Sequence, residues 1–290
     1  MKNSKSEQIF NICNVAVLTI LVLIVLLPLL HILFASLSNP VDVMRQEGLM
    51  LYPKNATFQA YRSVFKNPNI LSGYRNTLFI VIVGTTLNYI LTTIGAYVLS
   101  RKGVFWNGPL TLMIVFTMYF QGGMIPFYLT VKTVGLDSTI WSLILPTAIS
   151  TFNLIVMRTA MASVPDSMGE SAMMAGAGHA RILFSIMVPL TQATGAVLIL
   201  FYAVSHWNSW FNALIFLRDR TLFPLQLILR EILIQDETAS MASGSAADLG
   251  LVSDTLKFAT IVVATLPILC IYPLLQRYFV KGVMVGAVKG

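Results

Sequence analysis

FNICNVAVLTILVLIVLLPLLHILFASL, residues 10–37, holds no lysine, arginine, aspartate or glutamate, and the charge-free stretch extends from 8 to 41. A helix needs about 20 apolar residues to cross a bilayer, so this stretch alone predicts a membrane-spanning helix. Lys2 and Lys5 precede it, as in a secretory signal. Its apolar core is longer than the ~7–15 residues of a signal peptide, and no small-residue cleavage site closes it. The expectation is a retained helix, kinked at Pro28.

Five further charge-free windows follow at 76–100, 103–131, 138–157, 182–217 and 258–276. The whole chain of 290 residues is 56% apolar and 11% charged, with a mean hydropathy of +0.77. A soluble domain carries about 25% charged residues, so a water-facing surface cannot be covered in the usual way. The fold class expected is all-α, integral to the membrane. Its six transmembrane helices lie at about 10–37, 76–100, 105–131, 138–157, 184–210 and 258–276. The net charge of +7 sits in short connectors rather than on one stripe, and reads as topology signal and lipid-headgroup contact, not nucleic-acid binding. Cys13 and Cys270 lie far apart with no metal-ligand spacing.

Two windows carry their own breaks. At 1.5 Å per residue, 182–217 would run roughly 54 Å against a core of about 30 Å, and Trp207-Asn208-Ser209-Trp210-Phe211 is the natural interface break. In 103–131 the break falls at Gln121-Gly122-Gly123-Met124-Ile125-Pro126, because paired glycines and proline end helices. Six spans put both termini on one side. With residues 1–9, 101–107, 158–181 and 277–290 inside, nine of the 19 basic residues are inside, and the other ten are spread over nearly twice as many residues outside. The positive-inside rule then places both termini in the cytoplasm.

The inner connector 158–181 reads RTAMASVPDSMGESAMMAGAGHAR. Ser163 with Asp166, and Ser167 with Glu170, each fit a capping box, and Pro165 suits a first helical turn. Residues 171–175 favour helix, and Gly176 and Gly178 stop it. On spacing alone this is a surface hairpin with Glu170 as a cap, or a displayed amphipathic helix. The run Glu170-Ser171-Ala172, Gly176, then Phe184, Val188-Pro189-Leu190, resembles the Glu-Ala-Ala loop of binding-protein-dependent ABC importer permeases. That resemblance implies a cytoplasmic coupling helix between helices 4 and 5, within residues 158–183, seated on an ATPase subunit through Glu170, Ser171, Ala172, Gly176, Arg181 and Pro189. Ser171 stands where the family usually has alanine, and Ala175 where it usually has aspartate, so an ion pair made by that aspartate is lost here.

Further stretches resemble the carbohydrate branch, close to the complex oligosaccharide and polysaccharide type and related to the maltose-type permeases. They are Gln121 to Pro126, Val164-Pro165-Asp166-Ser167, His206 to Phe211, Phe223-Pro224-Leu225-Gln226, and the C-terminal Gln276-Arg277-Tyr278-Phe279-Val280-Lys281-Gly282. The resemblance implies a heterodimer with a second permease, two ATPase subunits, an extracytoplasmic solute-binding protein, an oligosaccharide substrate and a bacterial cytoplasmic membrane. It also implies a tail, 277–290, whose Lys289 and Gly290 reach the ATPase. ATP and Mg belong to the partner subunits: no Gly-x-x-x-x-Gly-Lys-[Ser/Thr] run occurs in this chain.

Trp207, Asn208 and Trp210 read either as an interfacial aromatic belt or as sugar contacts. Tyr119, Gln121, Tyr128, Asn153, Tyr202 and His206 are further candidates for a polar path, or else helix–helix hydrogen-bond partners. Residues 235–250, small and polar, read as a disordered loop or as a probe of the docked binding protein. No acid pair lies within a span, which opposes an ion-driven secondary transporter. An ABC permease for a non-sugar solute is the stronger alternative.

Overall fold

A computed structural model describes residues 5–46, 48–242 and 255–270. Every regular element among them is helical. The chain divides into two compact units, one with the described residues up to Ile70 and from Leu229 to Leu266, the other with Leu71–Ile228.

In the first unit α1, Lys5–Ser36, runs through Pro28 as one helix, with its apolar side chains exposed along the length. That surface suits lipid, not water. Its C-terminal end is held by polar groups: the Met50 amide donates to His31 Nδ1 at 3.0 Å, and Ser36 Oγ meets the Tyr61 hydroxyl at 2.7 Å. Two short helices follow, α2 (Pro40–Met44) and α3 (Gln59–Lys66). Near the other end of the chain, Phe258 of α14 (Thr255–Cys270) packs edge-on against His31 at 5.5 Å.

α4, Pro68–Ser100, is the spine of the second unit. Among the described residues, it and α1 are the two unbroken helices long and apolar enough to cross a membrane. The third window is broken where expected. α5 (Asn107–Tyr119) and α6 (Met124–Thr133) meet at 114°, with Gly123 at φ +85°. The fourth window is not one helix. Pro146 interrupts it, leaving α7 (Trp141–Ile144) and α8 (Thr151–Ala162). The connector 158–181 contains α9 (Asp166–Met174).

The fifth window departs most from the expected span at 184–210. α10 (His179–Leu190) and α11 (Gln192–Trp207) meet at 87°. Pro189 has no amide to continue the ladder, Leu183–Met187 widens into a π-turn, and Thr191 Oγ donates to the Met187 carbonyl at 2.8 Å. Such features are the usual causes of a sharp kink. The break expected at 207–211 is also present, with α12 (Phe211–Phe216) beyond it. α13 is Leu225–Ala242, so residues 235–242 of the expected loop are helical. Residues 243–250, the end of the sixth window and the tail with Lys289 and Gly290 lie outside the described residues.

Two apolar clusters knit the second unit. Ala96, Leu154, Met157, Ile182, Met187 and Leu198 join α4, α8, α10 and α11. Ile80, Ile144, Ala213 and Leu227 join α4, α7, α12 and α13. Between them α4 turns a polar row inward. Asn76 Nδ2 donates to the Thr221 carbonyl at 2.7 Å, Asn88 Nδ2 to His206 Nε2 at 3.2 Å, and Thr92 Oγ meets the Tyr202 hydroxyl at 2.7 Å. Hydrogen bonds of this kind tie helices together where burial alone gives little preference over lipid.

Candidate functional site

α9 is built from its C-terminal end. Gly176, at φ +82°, lets its amide reach the Met173 carbonyl and the Ala177 amide reach the Ala172 carbonyl, both at 2.9 Å. This pair of bonds is a Schellman closure, which satisfies carbonyls left over at the helix end. Ala172 and Ala177 then pack together on the α4–α8–α10 cluster. The start differs from the expectation. Pro165 occupies the cap without a side-chain bond, and Ser163 instead closes α8, its Oγ donating to the Ala160 carbonyl. Ser167 lies inside α9, so neither capping box forms.

The helix is tied to the residues that follow α4 by two contacts, one from Lys102 and one from Arg101. Lys102 Nζ meets Asp166 Oδ2 at 2.7 Å. The same bond holds the Lys102 ammonium above its ordinary pKa and the Asp166 carboxyl below its own. Both groups are exposed, so salt screens the pair and it sets position more than energy. The Arg101 guanidinium lies 4.8 Å over the Tyr97 ring and donates to Met187 Sδ. Its Nη1 reaches Gly169, where a Cβ would stand 3.3 Å away. Tyr97, in turn, shares a 3.0 Å hydrogen bond with His179 Nδ1 at the start of α10. The end of α4 is itself locked, because the Leu99 carbonyl accepts from both Arg158 Nε and Asn107 Nδ2.

Glu170, Ser171, Gly176, Arg181 and Pro189 are exposed, and Ala172 is half-buried. Met168 and Met173 are exposed as well, and Met174 is 85% exposed. Methionine is a flexible, polarisable side chain suited to an adaptable interface. Sequence reasoning missed these methionines, and it missed Arg101 and Gly169. A glycine inside a helix, at a cost of about 1 kcal/mol against alanine, was the signal available for the second.

The candidates for a polar path separate into two groups. Asn153, Tyr202, His206 and Trp207 are buried. The Tyr202 hydroxyl bridges Thr92 Oγ and the Ser150 amide. His206 packs where Gly84 leaves room, Trp207 sits edge-on to Tyr74, and Asn153 starts α8, its amide donating to Ser150 Oγ. The contacts of Tyr202, His206 and Trp207 lie between helices, and that of Asn153 lies at the start of its own helix. Tyr119, Gln121 and Asn208 are exposed, and Tyr128 and Trp210 half so. Gln121 and Tyr128 line one 730 Å³ pocket, Tyr128 stacked on Phe216 at 5.9 Å. A second pocket, of 810 Å³, lies under α9 against Tyr97, Arg101 and Glu170.

No family model matches the chain. Curated relatives do. It is 38% identical over 265 residues to the polygalacturonan/rhamnogalacturonan transport system permease protein YtcP of Bacillus subtilis, covering 90% of this chain and 91% of that one. It is 37% identical over 290 residues to protein LplC of the same organism, covering 100% and 98%. Among solved structures, a chain of a bacterial ABC transporter that imports the acidic polysaccharide alginate superposes with a TM-score of 0.86 at 31% identity, over 96% of this chain and 99% of that one. Near-complete coverage at this identity, on an all-helical membrane architecture, makes this chain a member of the sugar ABC transporter permease family.

Proposed function

We propose that the chain is one permease subunit of an ATP-driven importer for oligosaccharides or polysaccharide fragments, crossing the membrane six times with both termini in the cytoplasm. It pairs with a second permease, two ATPase subunits that hold ATP and Mg, and an extracytoplasmic binding protein. The observation that carries this reading is α9. It is a displayed helix with methionines outward, closed by Gly176 and clamped from behind by Arg101 and Lys102.

In this mechanism the ATPase dimer closes on ATP and α9 moves with it. The clamp passes the displacement to α4, and the α9–α10 turn passes it to α10 and α11. The cavity between permeases then opens to the other side. A shift between two states needs a difference in contact between them, and the exposed face of α9 is where the ATPase supplies it. Substrate class rests on the relatives, whose names specify galacturonan, rhamnogalacturonan and alginate. The test is the assembled importer in proteoliposomes with Glu170→Ala or Gly176→Val. Uptake should fall at least tenfold while the complex still assembles and hydrolyses ATP. Uptake equal to wild type in both variants overturns the coupling role.

A further inference from the structure

The 730 Å³ pocket at the α5–α6 break joins Gln121 and Tyr128, two of the polar-path candidates, to Phe120, Phe211 and Asn212, which the sequence reading did not single out for a path. Its position in depth follows from helix length. α5 has 13 residues, about 20 Å at 1.5 Å per residue, and starts beside the exposed rings of Phe105 and Trp106, residues of the kind that sit at a membrane interface. A hydrocarbon core is about 30 Å thick. Residues 120–123 therefore leave the helix roughly 10 Å short of the far interface. Gln121, Gly122 and Gly123 are all exposed there, outside any helix. Irregular backbone at that depth is tolerated where it is buried in protein or lines a water-filled cavity. Within this chain the segment is not buried, so a partner chain or a water-filled cavity must face it.

The lining gives the ligand class. Phe120 and Phe211 present exposed rings, with Phe127 beside them and Tyr128 stacked on Phe216 beneath. Gln121 and Asn212 supply amides that both donate and accept. Among the described residues, no charged side chain lines the pocket. Flat apolar rings suit the C–H faces of pyranose rings, and amides suit vicinal hydroxyl pairs. An apolar pocket of a few hundred Å³ with a small number of convergent polar groups is the usual form of a small-molecule site.

We propose that this pocket is a saccharide subsite of the path, where Phe120 and Phe211 stack sugar rings and Gln121 and Asn212 pair with their hydroxyls. It reads the uncharged faces of the sugar, so uronic and neutral residues are held alike. The subsite deepens the importer reading and rests on it, but its test needs no ATP turnover. Gln121→Cys is placed in the full importer with Cys13 and Cys270 changed to serine, and exposed to a charged, membrane-impermeant thiol reagent. Labelling is expected, slowed several-fold by saturating tetragalacturonate or its uncharged methyl ester. A thiol that never labels, because lipid covers the break, overturns the proposal. So does labelling that neither saccharide slows. As a second measurement, Gln121→Leu with Asn212→Leu removes both amides and should lower initial uptake roughly tenfold. Uptake within twofold of wild type counts against it. Wild-type importer that moves sugar without ATP would overturn the coupling mechanism and leave the labelling result standing.

Discussion

Gly176 and Gly123 both sit next to a helix end, at φ +82° and +85°, and a Cβ at either would meet nothing within 4 Å. Their surroundings differ completely. At Gly176 the turn closes on itself, and the freed amides find the Met173 and Ala172 carbonyls. At Gly123 the chain stays open, with ψ at 174°, and the adjoining peptides at 121–122 are exposed beside aromatic rings. The first arrangement makes a rigid handle. The second makes a place for something polar to sit. In the proposed mechanism the same residue type serves force transmission in one region and binding in the other, and what decides is whether the backbone is satisfied locally.

The largest effect should come from neither, but from the packing between them. A Cβ at Gly84 would stand 2.6 Å from His206 Nε2, in a ring already pinned by Asn88. Gly84→Ala should cost about 1–3 kcal/mol as overpacking and lower the thermal midpoint of the purified importer by several degrees. An unchanged midpoint would mean the α4–α11 seam is loose, so that helix motion could bypass α9.

Next come the two glycines. Alanine at either position carries a positive-φ penalty of about 1–3 kcal/mol, and both variants should lower uptake. Asparagine separates them. It tolerates the left-handed C-terminal position of a helix, so Gly176→Asn should keep most of its uptake. The conformation of Gly123 lies in a region reserved for glycine, so Gly123→Asn should not. Equal behaviour of the two asparagine variants in an uptake assay would erase the contrast.

Tyr202→Phe removes the hydroxyl that joins Thr92 and the Ser150 amide. Membrane hydrogen bonds average about 0.6 kcal/mol, so a small loss of thermal stability with normal uptake is expected. A loss of uptake at full stability would return Tyr202 to the sugar path. The smallest effect is at Lys102. Asp166 has a lowered folded-state pKa, so its contribution is complete above the ordinary carboxylate pKa of about 3.9 and fades only as pH falls below that through the folded value. Lys102 has a raised one, so its contribution holds until pH rises past the ordinary lysine value. Uptake should thus show no dependence on this pair between about pH 5 and 9. Lys102→Ala should weaken coupling slightly, and less at high salt.

Much of the fold was legible because bilayer burial writes itself as missing charge. The window at 10–37, the long α4 and the break at 121–126 all follow from that. The bend at Thr191 was not, because Pro189 gives no angle by itself and the π-turn at Leu183–Met187 depends on packing against α4 and α8. Residue type exposed the outer half of the candidate path, Gln121 and Tyr128, but could not tell a tyrosine turned outward from Tyr202 turned in, since both lie in apolar runs. On α9 the exposed Glu170 and Ser171 are positions that the resemblance names, and the exposed Met168, Met173 and Met174 are not. The Arg101–Gly169 clamp was not legible, because its partners are 68 residues apart and meet only when α4 and α9 are placed.

The central claim is that α9 is the surface on which an ATPase subunit acts. With Cys13 and Cys270 replaced by serine, Met174→Cys offers a thiol at a position of that helix that is 85% exposed. In an importer that still takes up sugar, a short bifunctional thiol reagent should join it to an engineered cysteine on an ATPase subunit, and the yield should change when ATP is bound. Crosslinks that never include an ATPase subunit, in a preparation with normal uptake, would contradict the account.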